Sequence, residues 1–199
     1  MTRADLVVLA GGRGSRLGGA DKGALVVGGQ TLLERLVGGV DLGGDVVVVQ
    51  PGALPDGLVA AGGRRLLVAL EDPPDGGPVA GIEAGLVALG QGAAAWVAVV
   101  AVDQPGAVEA LRALAAELPE VGEEVDAVSH VDASGHRQWL LALYRSSALA
   151  AALDALESTR DTSVRRLVSG LTWAEVERGA EHVGDVDTWE DLAAWTREP

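Results

Sequence analysis

The sequence predicts an α/β protein with a mostly parallel sheet flanked by helices. Short Val-rich runs alternate with longer stretches of helical character, which is the pattern of strands joined by crossover helices. Two of these runs, 45–50 and 96–102, are largely apolar, as expected of central strands that are buried on both faces. The 199 residues, 48% of them apolar, suit one compact domain with a full core, so we expect a single domain over residues 1–199.

Seven strands are predicted from the apolar runs and from the turn residues between them. In chain order they lie at residues 6–10, 45–50, 65–70, 96–102, 127–131 and 139–144, with a short late strand near 172–176. Two helix starts have a capping-box pattern, in which Thr31 precedes Glu34 and Thr188 precedes Asp191 by three residues. The aliphatic faces of three helical segments are interpreted as core and not as ligand surfaces: 31–37, 107–118 and 148–156.

Composition excludes several classes of function. Lys and Arg total 15 against 29 Asp and Glu, and the net charge of −14 would repel nucleic acid or an anionic membrane, so neither is expected as a partner. The chain has no cysteine, which excludes disulfides, thiolate catalysis and cysteine-ligated zinc. The apolar run 93–102 is far shorter than the roughly 20 residues of a membrane span, and the run 6–10 is too short for a signal-peptide core. We therefore expect a cytoplasmic protein.

The first strand opens into a loop that is rich in glycine and carries positive charge. Glycine lets backbone N–H groups approach phosphate oxygens without a Cβ in the way, while cationic side chains supply charge. The loop follows the carboxyl end of a strand, where open α/β sheets place their ligands. The pattern therefore predicts a phosphate site in an otherwise acidic protein. The loop reads Gly11-Gly12-Arg13-Gly14-Ser15-Arg16-Leu17-Gly18-Gly19-Ala20-Asp21-Lys22.

This loop is neither a P-loop nor a dinucleotide-binding glycine loop. A P-loop needs Ser or Thr after its lysine, whereas Lys22 is followed by Gly23, and Leu17 stands where the third glycine of the dinucleotide pattern should be. A solvated turn in a glycine-rich chain is the alternative interpretation. However, Lys22 is the only lysine in the sequence. Because a compact ammonium is a good point charge for polyphosphate oxygens, the presence of this lysine favours the phosphate site.

Four segments of the chain resemble the motifs of one enzyme family, in the family's order. They are Leu9-Ala10-Gly11-Gly12-x-x-x-Arg16-x-Gly18-x-x-x-Lys22, Glu71-Asp72-Pro73-Pro74-Asp75-Gly76-Gly77-Pro78-Val79-Ala80-Gly81, Val102-Asp103-Gln104-Pro105 and Asp185-Val186-Asp187-Thr188. Together they resemble the signature of the nucleotidyltransferases related to molybdenum cofactor guanylyltransferase (MobA). The resemblance covers nearly the whole chain and implies a Rossmann-like nucleotidyltransferase fold and a Mg²⁺-dependent enzyme.

The resemblance also implies roles for individual residues. Arg16, Lys22 and Asp103 would be catalytic, and Asp103 and Asp187 would hold Mg²⁺. The segment beginning at Pro78 would contact the nucleoside together with Asp72, although its small residues also suit ordinary helix packing. The residues expected to bind the nucleotide are Leu9, Ala10, Gly11, Gly12, Arg13, Lys22, Asp72, Pro78 and Gly81.

Asp103 has two interpretations from its position alone. It follows a central strand, so its carboxylate would face the same crevice as the glycine loop, where one or two carboxylates and substrate phosphates commonly hold Mg²⁺. It could instead cap the following helix, because Asp at the N-cap and proline in the first turn are both favoured. The family resemblance favours the metal role.

The expected reaction is in-line attack of an acceptor phosphate on the α-phosphorus of a nucleoside triphosphate, with loss of pyrophosphate. The acceptor is already ionised at neutral pH, so positioning and charge neutralisation suffice and no general base is required. Arg16 and Lys22 would neutralise the β and γ oxygens. No histidine has metal or triad spacing, and all three are interpreted as structural or surface residues: His130, His136 and His182.

GTP and the molybdopterin cofactor are the substrates that the resemblance favours. Alternatives are a cytidylyltransferase for the same cofactor, a guanylyltransferase for another small phosphate, a sugar-phosphate nucleotidyltransferase, and a catalytically silent nucleotide-binding module that regulates a partner. At 199 residues, the additional domains of some sugar-phosphate enzymes are not expected. The joint presence of Arg16, Lys22 and Asp103 favours an enzyme, because a binding module needs no residues arranged for in-line transfer.

Overall fold

The computed structural model describes residues 2–11, 18, 20–132 and 134–197. The strands in this part of the chain are β1 (Ala4–Leu9), β2 (Val26–Val27), β3 (Gln30–Thr31), β4 (Gly43–Val49), β5 (Leu66–Ala69), β6 (Trp96–Ala101), β7 (Ala127–Val131), β8 (Arg137–Arg145) and β9 (Trp173–Glu175). The helices are α1 (Leu32–Gly39), α2 (Pro78–Leu89), α3 (Ala107–Glu117), α4 (Ser146–Asp154), α5 (Val164–Leu167) and α6 (Trp189–Arg197). Among the described residues, no helix combines the length and the apolar character needed to cross a membrane.

Seven strands form one sheet in the order β5-β4-β1-β6-β8-β7-β9. The pairs β4–β5, β1–β4 and β1–β6 are parallel, and so is the pair β7–β9. β8 runs antiparallel to both of its neighbours, β6 and β7. The predicted α/β fold with a mostly parallel sheet is therefore confirmed.

Two apolar cores cover the two faces of this sheet. Side chains alternate along a strand, so neighbouring residues of β1 and β6 enter different cores. Val8 and Val100 pack with α1 and α3 on one face, whereas Val7 and Val99 pack with α2, α4 and α5 on the other. All four of these valines are fully buried, which explains why the central strands are continuously apolar. The interpretation of the aliphatic helix faces as core is confirmed.

All seven predicted strands are present, and their ends differ from the predicted ones by at most two residues. The prediction missed the small hairpin of β2 and β3. Gly28 and Gly29 form its turn with φ of 61° and 84°, values that a two-residue hairpin turn requires and that glycine adopts without strain. The adjacent glycines were the signal for this hairpin, but its strands are too short to show an alternating pattern.

Both predicted capping boxes are present. At the start of α1, Thr31 Oγ1 accepts a hydrogen bond from the Glu34 N–H at 3.1 Å, and Glu34 Oε2 accepts one from the Thr31 N–H at 2.8 Å. Before α6, the Thr188 N–H donates to Asp191 Oδ2 at 2.8 Å, and the Asp191 N–H donates to Thr188 Oγ1 at 3.2 Å. The second box fixes the turn that leads into α6, and this turn borders the site described below.

The carboxyl ends of four parallel strands meet along one edge of the sheet. Past the strand ends, the N–H groups of Ala10 and Gly11 both donate to the Val49 carbonyl, at 2.9 and 3.0 Å, and the Val102 N–H donates to the Leu9 carbonyl at 3.1 Å. These bonds keep the segments that follow β1, β4 and β6 together as they leave the sheet. A crevice therefore opens at this edge, as expected for an open α/β sheet.

Candidate active site

A cavity of about 980 Å³ occupies the crevice at the carboxyl ends of the parallel strands. This volume is at the upper end of the range of small-molecule sites, so it can hold a nucleotide together with a second substrate. The residues that line it are Leu9, Ala10, Gly11, Lys22, Val49, Pro51, Leu70, Glu71, Pro74, Asp75, Gly77, Pro78, Gly81, Ala101, Val102, Asp103, Leu140, Asp161 and Asp187.

Three charged side chains meet on the floor of this cavity. Lys22 Nζ lies 2.7 Å from Asp103 Oδ2 and 2.7 Å from Asp187 Oδ1. The two aspartates are 81 and 165 residues away from the lysine in sequence. We call Lys22, Asp103 and Asp187 the ionic floor. Two carboxylates that face one ammonium form a compact site at which charged phosphate and a cation can both be bound.

A short 3₁₀ turn over Lys22–Ala24 presents the lysine to the cavity. The Asp21 carboxylate caps this turn by accepting a hydrogen bond from the Gly23 N–H at 2.9 Å. Gly23 is buried, and a Cβ added there would lie 3.6 Å from Leu33 Cβ and 3.7 Å from a methyl group of Val102. Close packing of the turn against α1 and the end of β6 therefore fixes the Lys22 backbone beside Asp103.

Asp187 reaches the floor because the turn before α6 is bonded to the segment after β6. The Val186 N–H donates to the Asp103 carbonyl at 2.8 Å, and the Val186 side chain is fully buried. The Asp187 N–H donates to Asp191 Oδ2 at 3.1 Å, so the capping carboxylate of α6 also orients this residue. The position of Asp187 is therefore set by backbone contacts on both sides of it.

The electrostatics of the floor favour a charged lysine. Burial by itself would lower the pKa of Lys22, but the hydrogen bonds and negative charges of Asp103 and Asp187 outweigh it and raise the pKa above its usual value. The neighbouring Asp185 has a raised pKa, because its carboxyl is partly desolvated and faces the negative charges of Asp187 and Asp103. Two carboxylates thus bind one ammonium and a third lies close to them, so the local charge favours a cation.

The helix-cap interpretation of Asp103 is wrong. α3 begins at Ala107 with Gly106 at its N-cap, and no side chain caps it. The Ala107 N–H donates instead to the Gln104 carbonyl at 3.1 Å, which forms a turn between Asp103 and the helix. Asp103 is therefore too far ahead of the helix to cap it, and its carboxylate binds Lys22.

The donor set of the floor fits a magnesium ion. Mg²⁺ prefers hard oxygen ligands and is usually held by one or two carboxylates, the remaining positions being filled by substrate phosphates and water. Asp103 and Asp187 supply two carboxylates within reach of the same point. Among the described residues, no group of three or more His, Asp and Glu side chains forms a metal site, so any ion here would depend on substrate oxygens as well.

Another part of the cavity lining comes from the segment before α2 and from the first turn of that helix. Gly77 is the N-cap of α2 with a φ of 88°, and Pro78 is the first residue of the helix. A Cβ on Gly81 would lie 3.1 Å from Leu9 Cδ2, so the helix start packs closely on the end of β1. Residues between 71 and 81 thus line the cavity beside the end of β1. We call the segment 71–81 the nucleoside wall, because the sequence predicts that it contacts a nucleoside.

Asp72 belongs to the nucleoside wall but is not among the described residues that line the first cavity. Its side chain is exposed and lines a second cavity of about 840 Å³, whereas Glu71 lines both cavities. The predicted contact between Asp72 and the nucleoside therefore stays a prediction. Asp161 and Leu140 also line the first cavity, although neither was predicted from the sequence. Asp161 lies in an irregular loop with a φ of 55°, and no sequence pattern marks such a position.

Most of the predicted site residues line the first cavity. Gly12, Arg13 and Arg16 lie outside the described residues. The predicted residues that line the cavity are Leu9, Ala10, Gly11, Lys22, Pro78, Gly81, Asp103 and Asp187.

The three histidines lie away from the described lining of the first cavity. His130 is fully buried, with Nδ1 2.8 Å from the Val176 carbonyl oxygen and Nε2 3.1 Å from that of Ala110. His136 is exposed near Asp132, and His182 is partly exposed beside Glu181. None of the three lines the cavity as the described residues define it. Their interpretation as structural or surface residues is confirmed.

Comparison with known proteins agrees with this geometry. A family model described as the MobA-like NTP transferase domain matches residues 6–177. A probable molybdenum cofactor guanylyltransferase of Chloroflexus aggregans is 34% identical, over 85% of this chain and 78% of that relative. Another, of Opitutus terrae, is 40% identical over 52% of this chain, and the match spans about half of that protein, 48%.

A solved structure shares the fold. The crystal structure of molybdopterin-guanine dinucleotide biosynthesis protein A from Archaeoglobus fulgidus superposes with a TM-score of 0.65 and covers 96% of both chains. At 21% sequence identity this likeness concerns the fold. The fold is therefore shared over nearly the whole length of both chains.

Proposed function

The chain belongs to the MobA-like NTP transferase family, and from that premise we propose that it transfers GMP from GTP to the phosphate of the molybdopterin cofactor and releases pyrophosphate. The observation that carries the proposal is the ionic floor, where Lys22 lies 2.7 Å from each of two carboxylates inside a cavity of about 980 Å³. We also propose that the reaction takes place in the cytoplasm. The net charge of −14 disfavours nucleic acid and anionic membranes as partners.

The triphosphate would lie between the glycine loop and the floor. Gly11 follows β1, and both Gly11 and Lys22 line the cavity. Lys22 would donate hydrogen bonds to phosphate oxygens. To do so, its ammonium must break the hydrogen bond to at least one of the two aspartates. Arg16 stays the predicted second cation for the β and γ oxygens. The chain would thereby bring positive charge to the bond that breaks.

Asp103 and Asp187 are the residues that would hold Mg²⁺ in this reaction. The ion would neutralise phosphate charge and orient the α-phosphate for in-line attack. Once Lys22 turns toward the triphosphate, the two carboxylates are left facing each other, and their mutual repulsion favours a cation between them. The lysine and the aspartates therefore suit a site that is completed by the nucleotide.

The chemical step needs no proton transfer. An oxygen of the acceptor phosphate attacks the α-phosphorus, a new P–O–P linkage forms, and the bond to the β-phosphate breaks so that pyrophosphate leaves with the electron pair. The acceptor is an anion at neutral pH, so the residues of the floor position charged groups and do not act as a base. The absence of histidines from the described cavity lining agrees with such a mechanism.

The nucleoside wall supports guanine as the base. Glu71 and Asp161 are acidic residues that line the same cavity as Gly77 and Pro78. Guanine presents N1–H and N2–H donors side by side, and an ionised carboxylate can accept both. Cytosine presents an acceptor next to its amino group, which a carboxylate would repel. This complementarity and the names of the relatives favour GTP over CTP.

A panel of nucleotides tests the proposal. Thermal stability is measured with GTP, CTP, ATP and UTP, each with and without Mg²⁺, because a ligand that binds only the native state raises the melting temperature. Pyrophosphate release is then measured with GTP, Mg²⁺ and molybdopterin cofactor. We expect the largest stabilisation with GTP and Mg²⁺, and release that depends on the cofactor. A preference for CTP would assign the chain to the cytidylyl branch, and GTP binding without turnover would favour the silent regulatory module.

A further inference from the structure

A loop that follows α4 makes hydrogen bonds to the backbone of the nucleoside wall. Arg160 Nη1 donates to the Pro73 carbonyl at 2.8 Å, and Nη1 and Nη2 each donate to the Pro74 carbonyl at 3.3 Å. One residue further on, the Asp161 N–H donates to the Gly76 carbonyl at 2.9 Å. We call residues 158–162 the clamp segment. Because these contacts are to backbone oxygens, they hold the backbone conformation of the wall and do not depend on its side chains.

The wall lacks regular secondary structure where the clamp segment meets it. Residues 73–76 form no helix or strand, and the two prolines have no N–H to donate, so this stretch cannot make regular backbone hydrogen bonds. Asp75 has a φ of 65° and Gly77 one of 88°, which are left-handed conformations. A non-glycine residue is held in such a conformation only when its surroundings impose it. The carbonyl contacts from the clamp segment are part of those surroundings.

The clamped stretch is also a lining of the cavity. Pro74, Asp75 and Gly77 line it from the wall, and Asp161 lines it from the clamp segment itself. Gly76 is buried against the clamp, since a Cβ added there would lie 3.5 Å from Arg160 Cγ. A shift of Arg160 would therefore move the residues that face a bound nucleoside.

We infer that Arg160 is a positioning residue for the nucleoside: by fixing the carbonyls of Pro73 and Pro74 it sets the shape of the wall against which the base and ribose bind. The inference rests on the proposed function, because it assumes a nucleotide in this cavity. A planar guanidinium can donate to two carbonyls at once, which an ammonium on a flexible stem does less well. The inference concerns recognition of the nucleoside and leaves the phosphates to the ionic floor.

The same loop offers a matched control. Thr159 Oγ1 donates to Glu83 Oε2 at 2.6 Å, which ties the clamp segment to the outer side of α2. Thr159→Ala therefore removes a hydrogen bond from the residue next to Arg160 without removing a contact to the carbonyls of the wall. A general effect of loosening the loop would be seen in this variant as well.

The test compares wild type, Arg160→Gln, Arg160→Lys and Thr159→Ala. Binding of GTP with Mg²⁺ is measured by calorimetry, and binding of inorganic tripolyphosphate with Mg²⁺ serves as a probe that has no nucleoside. We expect Arg160→Gln to weaken GTP about tenfold, the size of one lost charge-assisted hydrogen bond, and to leave tripolyphosphate unchanged. The GTP affinity of Arg160→Lys should lie between those of wild type and Arg160→Gln, and the GTP affinity of Thr159→Ala should match that of wild type. Turnover at saturating GTP should stay within about twofold for Arg160→Gln, since the chemistry is at the floor.

Two results would overturn the inference. Equal GTP affinity in wild type and Arg160→Gln would show that the wall does not need the clamp. Equal weakening of GTP and tripolyphosphate, with a lowered melting temperature, would show a general structural role. If wild type itself binds tripolyphosphate but not GTP or any other nucleoside triphosphate, the proposed function fails, and the inference fails with it.

Discussion

The floor and the nucleoside wall of the cavity are built in opposite ways. The floor consists of three charged side chains, Lys22, Asp103 and Asp187, which come from distant parts of the sequence and meet at 2.7 Å. The wall is one continuous segment whose shape depends on backbone conformation, with left-handed residues at Asp75 and Gly77. The floor thus works through charge, and the wall works through shape.

Because of this difference, we expect the floor and the wall to affect different steps of the reaction. Charge at the floor can stabilise a phosphoryl group whose charge changes during reaction, so floor residues should affect turnover. In the proposed reaction the wall would contact a nucleoside that does not react, so wall residues should affect affinity and choice of base. The following variants test whether the two sides separate in this way, beginning with the largest expected effect.

Asp103→Asn should lower turnover by on the order of a hundredfold or more, because a neutral amide weakens the hold on a cation and on Lys22. Stability should change little by comparison, since Asp103 caps no helix. The measurements are steady-state pyrophosphate release and the melting temperature. Asp45→Asn is the matched control, because its carboxylate pairs with Arg65 at 2.7 Å and lines neither cavity within the described residues. An active Asp103→Asn enzyme would remove the floor from the mechanism.

Lys22→Arg should lower turnover by roughly a hundredfold although it preserves the charge. The guanidinium is larger and planar, and a small misalignment in a transfer site has effects of about this size. The measurement is pyrophosphate release with saturating Mg²⁺ and a titrated triphosphate, in which the turnover number should fall more than the apparent affinity. Kinetics like those of wild type would show that Lys22 is a dispensable charge.

Gly77→Ala tests the wall. A Cβ there meets no atom within 4 Å, but the φ of 88° is strained for alanine, so we expect a loss of about 1 kcal/mol or more in the free energy of unfolding. GTP affinity should fall while turnover at saturation is kept. Urea unfolding and calorimetry measure both effects. Gly92→Ala is the control, since a Cβ also meets open space there and no left-handed φ is involved. A fall in turnover alone would contradict the division between floor and wall.

Asp185→Asn should produce the smallest effect, a gain in stability near neutral pH. The pKa of Asp185 is raised in the folded state, so its ionised form is less favourable there than in the unfolded chain. The resulting cost is present above the folded pKa and disappears below the unfolded value of 3.8. The difference in melting temperature between variant and wild type should therefore shrink as the pH falls from 7 toward 4. A gain that does not depend on pH would show that charge is not its cause.

The elements of the fold could be predicted because their signals are local. The run 96–102 is apolar at every position, and its side chains apart from that of Ala101 are buried in the two cores. The two residues of the first capping box, Thr31 and Glu34, are only three positions apart. Lys22 could be singled out for a different reason, since it is the only lysine in the chain. In each case the chemistry that shapes the element lies within a few residues or within the composition itself.

Which residues line the cavity depends on contacts between distant segments, and no local sequence pattern indicates these contacts. The α/β class, the strands and the family of the chain follow from the sequence. Three juxtapositions become visible in the folded chain: Asp103 binds Lys22 and caps no helix, the Val186 N–H brings Asp187 to the same floor, and Arg160 supports the nucleoside wall. The physical reason is that a capping or strand preference acts over a few residues, whereas these juxtapositions depend on how whole segments pack across the edge of the sheet.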